Sequence, residues 1–236
     1  MNVITILVPV YNEEITIKFM LEKVNQIRKL LPKNELLIIN DGSTDGTLKI
    51  LKDNSALYDR LINCSKNNGK GSAIKVALQE VKSEYVVVQD ADLEYDPNEL
   101  PKLWEFVQKN NIDLLMTTRL SGSSLNRIHY YWHKLGNKFI TACFNILNNT
   151  TYSDIYSGYI IFKVKYILDR KLFFNGWGQQ AEILTFLTKY SPRIFEAPIA
   201  YYGRTYEEGK KIRFTAVFKV LLAILFTKIR VATIRN

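Results

Sequence analysis

The chain is poor in the residues that hold small or exported proteins together. Only Cys64 and Cys143 are present, far apart and each in an apolar context. That excludes a disulfide framework and reads as two small buried hydrophobes in a reducing compartment. Histidine is equally scarce. His129 and His133 are the only two, spaced i and i+4, and no third ligand accompanies them. Polar packing beside Trp132 or a phosphate contact suits them better than a metal. A long hydrophobic run is missing too. The longest, FTAVFKVLLAILF at 214–226, is broken by Lys219 and falls short of the ~20 apolar residues that a spanning helix needs. The first residues, MNVITILVPVYNEE, carry no basic segment ahead of their apolar run, so no targeting signal is read there. A cytoplasmic protein without membrane spans is the expectation. Finally, acid is lacking where base is abundant. From Gly209 to Asn236 there are seven basic residues and no Asp or Glu, which supplies +7 of a formal net charge of +9. Such asymmetry calls for an anionic partner at that end, nucleic acid or an anionic membrane surface.

What remains is ordinary globular composition, 47% hydrophobic and 23% charged, with no low-complexity segment and enough chain to bury a sizeable core. Short β-branched runs at 3–10, 36–39, 60–64, 85–89 and 113–118 alternate with stretches of helical period at 14–31, 45–53, 70–82 and 98–110. Strand–helix–strand repetition predicts a mostly parallel central sheet with helices on both faces, an α/β fold. Ligands of such sheets bind beyond the carboxyl ends of the strands. Here those ends read PVYNEE, NDGSTDGT, KNNGKG, QDADLE and TTRLSG. One polar, glycine-rich loop would be a turn; five describe a site.

Each loop has its own chemistry. Asp41 closes the second strand, and turn and capping residues that follow it, Thr44 and Asp45 among them, explain 42–47 without a ligand. Asp41 itself is open to two readings, loop structure or a contact to a base or ribose. Gly69 and Lys70 begin a helix behind a glycine-rich loop, where backbone can approach a ligand and the helix start favours anions, though P-loop spacing is absent. Asp90 and Asp92, read as extended chain, would share one face with Glu94 following, a set of hard oxygens suited to Mg2+ or Mn2+. Asp96, just before Pro97, reads as a helix cap.

VPVYNEE, NDGSTDGT, NNGKGSA and QDADLEYDP, in this order and spacing, resemble the family 2 inverting glycosyltransferases of GT-A fold. The nearest likeness is to dolichyl-phosphate mannose synthase and the bacterial polyprenyl-phosphate glycosyltransferases, over roughly residues 3–211. The resemblance implies a catalytic domain over 1–208, with a nucleotide-sugar half (about 1–118) and an acceptor half (about 119–208), followed by a basic amphipathic helix at 209–236. It implies a nucleotide-diphosphate sugar donor, GDP-mannose or a UDP-hexose, contacted by Pro9, Tyr11, Asn12, Glu13, Asp41, Gly69, Lys70, Asp90, Ala91 and Asp92. The implied metal ligands are Asp90, Asp92 and Glu94, and the cofactor Mg2+ or Mn2+. Catalytic roles would fall to Asp92, Glu182, Arg119 and Arg204, with Glu182 the acceptor-facing base. Asp154 and Gly158 match a further motif of the family. The acceptor phosphate would meet Arg119, Arg127, His133, Arg204, Lys210 and Lys211, although Glu207-Glu208-Gly209 departs from the family pattern there.

The acceptor implied is a polyprenyl or dolichyl phosphate, placing the enzyme peripherally on the cytoplasmic face of the membrane. Residues 209–236 would lie on an anionic membrane surface, or else dock on the protein's own core. A membrane partner subunit is a further expectation, since relatives often continue into transmembrane helices; nucleic acid is not an expected partner. The alternatives are a family 2 enzyme acting on a sugar hydroxyl during surface-glycan assembly, and a non-catalytic nucleotide-sugar-binding scaffold.

Overall fold

A computed structural model describes residues 4–120, 131–203 and 216–233. The parallel half of the sheet is built from β1 (Ile4–Val10), β2 (Asn34–Asn40), β3 (Arg60–Asn63) and β4 (Tyr85–Val88). β5 (Leu114–Thr118), β6 (Ile160–Lys163) and β7 (Ile194–Pro198) complete seven strands in the order β3-β2-β1-β4-β6-β5-β7. All neighbouring pairs are parallel except those of β6, which runs antiparallel to both β4 and β5. The expected mostly parallel sheet is present, with one reversed strand that the sequence pattern did not announce.

The helices are α1 (Ile17–Ile27), α2 (Thr47–Asp53), α3 (Lys70–Glu80), α4 (Leu100–Lys109), α5 (Tyr131–Asn148), α6 (Gly178–Tyr190) and α7 (Ala216–Thr233). Strands buried on both sides need mostly apolar residues, and β1 supplies them at every position but Thr5, whose buried hydroxyl is hydrogen-bonded to Glu35 and Ser83. Ile4, Ile6 and Val8 enter one core cluster with α1 and α4, while Leu7 enters a second with α3, α5, α6 and α7. In α1, Ile17, Met20, Leu21, Val24 and Ile27 form the stripe that covers the first cluster. The 14–31 segment is a shorter helix than its periodicity predicts, ending in a 3-10 turn over Arg28–Leu30. Among the described residues, no helix is long and apolar enough to cross a membrane.

Asp96 caps as expected. Its carboxylate accepts from Asn98 N, with Pro97 opening the turn that leads into α4.

Candidate active site

Two loops at the carboxyl ends of β1 and β2 are stitched together. Asn12, at φ 53, accepts from Thr44 N at 2.8 Å, and Asn12 N donates to Ser43 Oγ at 3.0 Å. Glu13 N donates to Thr47 Oγ1, and Glu14 Oε2 accepts from Gly46 N at 2.7 Å. Asn12 and Glu13 thus shape the rim beside Pro9 and Tyr11. Asp45, not Thr44, takes the first-turn amide of α2, accepting from Thr47 N.

Asp41 is buried, and its work is visible. Its two oxygens accept from Asn68 N at 3.2 Å and Gly69 N at 2.8 Å, tying the glycine-rich loop to the end of β2. Of the two readings left open for Asp41, loop structure is the one these bonds describe. Gly69 has φ +93 and lies against the Asn175 carbonyl, as does Gly71, whose added Cβ would stand 2.5 Å from that oxygen. Small residues are required here because two backbones meet. Lys75 on the next turn reaches Asn175 and the Leu172 carbonyl. The loop around 172–176 therefore forms a wall beside the start of α3.

From the start of α3, Lys70 crosses to Asp90 and pairs with Oδ1. Asp90 Oδ2 faces Gly158, where a Cβ would stand only 2.6 Å away. Asp92 Oδ1 accepts from Glu94 N, closing a turn around the buried Ala91. The expected extended geometry is not what forms. Leu93 has φ 63, which breaks the alternation that would have put 90, 92 and 94 on one face. Glu94 instead accepts from the Tyr201 hydroxyl at 2.7 Å. The assignment of Glu94 as a third ligand is corrected accordingly. Among the described residues, no group of three or more His, Cys, Asp and Glu is arranged to hold a metal ion. This turn carries the Asp90 and Asp92 carboxylates, Asp90 paired with Lys70 and Asp92 accepting from Glu94 N.

Arg119 follows β5, and one edge of its guanidinium is held. Its Nε and Nη2 donate to Asp154 Oδ2 and Oδ1 at 2.6 and 2.9 Å, and its guanidinium lies 5.0 Å from the centre of the Tyr201 ring. Asp154 has no exposed surface and also accepts from Asn137 of α5 at 2.7 Å. Burial alone would raise the Asp154 carboxyl; Arg119 and the hydrogen bonds outweigh it and hold it below the usual carboxylate range. Tyr95 reaches the same place, its hydroxyl accepting from Gly158 N at 2.8 Å. Asp154, Asn137, Tyr95 and Tyr201 are site residues that the sequence reading did not assign, although Asp154 stood in a motif it quoted. His133, one helical turn before Asn137, shares that face of α5.

Glu182 is not placed as a base. It has no exposed surface, accepts from Phe173 N and Phe174 N at 2.9 to 3.0 Å, and pairs with Arg230 of α7 at 3.3 Å. It holds the 172–176 wall in place rather than facing an acceptor. Arg127, Arg204, Lys210 and Lys211 lie outside the described residues.

The Asp90–Asp92 turn after β4, the glycine-rich helix start after β3 and the partly buried Arg119 after β5 all follow carboxyl ends of strands, and together suit an anionic, diphosphate-bearing ligand. Comparison with known proteins agrees with the fold and the motifs. The sequence profile described as "Glycosyl transferase family 2" matches residues 5–168. The chain is 27% identical over 213 residues to undecaprenyl-phosphate 4-deoxy-4-formamido-L-arabinose transferase of Proteus mirabilis, covering 89% of this chain and 63% of that protein. It is 27% identical over 205 residues to the low-salt glycan biosynthesis hexosyltransferase Agl6 of Haloferax volcanii, covering 85% of this chain and 48% of that one. The chain thus spans less than two thirds of either relative. Among solved structures, glucosyl-3-phosphoglycerate synthase from Mycobacterium tuberculosis, in complex with Mn2+, UDP and glucosyl-3-phosphoglycerate, superposes with a TM-score of 0.73 at 18% identity. That match covers 96% of this chain and 80% of that one.

Proposed function

The chain belongs to glycosyl transferase family 2, and on that premise we propose that it moves a sugar from a nucleotide-diphosphate donor to a polyprenyl phosphate at a membrane surface. The observation that carries this reading is the Lys70–Asp90 pair, which joins the glycine-rich start of α3 to the Asp90–Asp92 turn. A diphosphate bridging those two elements would meet cation on one side and, through a divalent ion, carboxylate on the other.

The donor set fits Mg2+ or Mn2+. Two hard carboxylates suffice where substrate phosphates complete the shell, and Asp90 already stabilises a positive charge, that of Lys70. Glycine at 158 leaves the backbone close against Asp90, with no room for a side chain between them. The ion, held by Asp90 and Asp92, would supply Lewis-acid stabilisation of the departing nucleoside diphosphate. Mn2+ or Mg2+ accompanies UDP in the glucosyl-3-phosphoglycerate synthase complexes, which supports the choice.

The chain's own residues do the rest. Lys70 and the amides at the start of α3 neutralise the diphosphate. Asp154 and Asn137 hold Arg119 in one orientation, with Tyr201 beneath it, so that its remaining N–H groups face the acceptor phosphate. With Glu182 committed to backbone amides and Arg230, an acceptor that is already ionised is favoured over a sugar hydroxyl, which would need a base. Direct displacement inverts the anomeric centre.

The test incubates the protein with Mn2+ or Mg2+, a panel of UDP- and GDP-sugars and polyprenyl phosphate, and measures nucleoside diphosphate release. Release that depends on the lipid phosphate is expected, with Asp92→Asn lowering it about 100-fold or more. No lipid-dependent release with any donor would remove the acceptor assignment, and full activity in Asp92→Asn would remove the metal assignment.

A further inference from the structure

Two helices of this chain are apolar on the side that faces away from the core. In α5, Ile140 and Phe144 point inward, while Trp132, Leu135, Phe139 and Ile146 form a second stripe, spaced by three, four and seven residues. Trp132 is 75% and Ile146 81% exposed. In α7 the inward residues are Val220, Ile224 and Val231, and the outward stripe is Phe218, Leu222, Leu225 and Ile229. Each helix thus carries a second apolar stripe besides the one it buries, and contiguous exposed apolar surface of this kind marks an interaction surface.

The two stripes belong to one face. The inward residues of both helices enter the same core cluster on the same side of the sheet. The helices touch each other, and Lys228 Nζ lies 3.4 Å from Asn148 Oδ1. Their outward sides therefore look away from that side of the sheet together.

Charge decides what covers them. Between Asp113 and Asp154 there is no acidic residue, and none follows Glu208, so both helices are wholly acid-free. Lys134, Lys138 and Lys219 are exposed beside the stripes. A second copy seated on this face would set lysine against lysine, which like-charge repulsion opposes. An anionic bilayer meets both features: acyl chains take the aromatic and aliphatic side chains, and lipid headgroups take the lysines.

We infer that α5 and α7 form a two-helix face that docks on anionic lipid, so that the membrane contact includes an internal helix of the acceptor half as well as the C-terminal one. The inference rests on the polyprenyl-phosphate reading and deepens it by giving α5 a part in the membrane contact. Since α5 carries both this stripe and Asn137, which holds Asp154 and through it Arg119, docking would set the acceptor arginine at a fixed height above the headgroups.

Binding is measured by cosedimentation with phosphatidylglycerol–phosphatidylcholine vesicles that contain neither polyprenyl phosphate nor nucleotide sugar. The chain is expected to bind them and to leave pure phosphatidylcholine largely unbound. In a Trp177→Phe background, emission of Trp132 should move to shorter wavelength on binding, Trp104 being buried throughout. Phe139→Asp with Ile146→Asp, both at exposed positions, should weaken partitioning at least tenfold with an unchanged circular dichroism spectrum. Leu222→Asp should do the same from α7. Wild-type binding by the α5 variant, no binding by the wild type, or a dimer that the α5 variant dissociates would each overturn the inference. Turnover with detergent-solubilised lipid phosphate in a chain that ignores vesicles would leave the proposed reaction standing and this face without its partner.

Discussion

Replacing Asp154 by Asn should unfold the protein at markedly lower temperature. The Asp154 carboxylate accepts from Arg119 Nε at 2.6 Å, Arg119 Nη2 at 2.9 Å, Asn137 Nδ2 at 2.7 Å and Tyr156 N at 3.1 Å, with no exposed surface. An amide keeps the shape but puts an NH2 where only donors face it, and it leaves the guanidinium without its counter-charge. Breaking a buried pair from one side costs about 3–5 kcal/mol. For a chain of this length about 2–4 °C is lost per kcal/mol, hence roughly 6–20 °C in Tm. Differential scanning calorimetry at pH 7 measures it. The sign with pH follows from the depressed carboxyl. Its contribution is present above the unfolded value near ~3.9 and is lost as pH falls through the folded one. The gap between wild type and variant should therefore close on acidification below about pH 4. The pair Arg119→Met with Asp154→Leu, which removes both charges, should recover a large part of the loss. A Tm change under about 2 °C at pH 7, or a gap that widens in acid, would refute the assignment of this pair as the keystone between β5 and α5.

Two further outcomes test the 172–176 wall and Glu182. Gly71→Ala places a Cβ 2.5 Å from the Asn175 carbonyl and from Gln179 Cβ; overpacking of about 1–3 kcal/mol should lower Tm and displace the 172–176 wall, so calorimetric titration should show weaker nucleoside diphosphate binding. Glu182→Gln should keep turnover within about threefold of wild type, whereas loss of a general base costs about 100-fold or more. Burial pushes the Glu182 carboxyl up, against Phe173 and Phe174 amides, Arg230 and Lys75. The protonated form's advantage is thus complete below the unfolded value near ~4.3 and lost as pH rises through the folded one, so the stability of Glu182→Gln relative to wild type should rise over that interval.

The sequence disclosed those parts of the site that are local. β1 to β5 and the loops after them were legible because apolar runs end in glycine, asparagine and acid within a few residues of one another. Asp96 was legible as a cap because proline follows it. What failed were geometries that a neighbour far along the chain imposes. The 90–94 turn depends on Leu93 at positive φ, and nothing about leucine signals that. β6 is four residues long and reversed, held by β4 and β5 on either side, and it carries no alternation to betray it.

Glu182 and Arg119 show the same limit in charge rather than backbone. Each was read as a functional group facing outward, because a charged side chain next to a family motif is most simply solvated or ligand-facing. Each has a partner that sequence spacing hides, Arg230 at 48 residues and Asp154 at 35. The consequence for Arg119 is orientation: one edge of its guanidinium is held by Asp154, and Tyr201 lies beside it. For Glu182 the consequence is connection. It receives Arg230 from α7 and holds the amides of 173 and 174 beside Asn175, which in turn meets Gly69 and Gly71 at the start of α3. The helix with the apolar outer stripe and the loop that would cradle the diphosphate are therefore one contiguous structure, joined through the buried Glu182 carboxylate and through Phe173 and Phe174, which pack on Phe226 of α7.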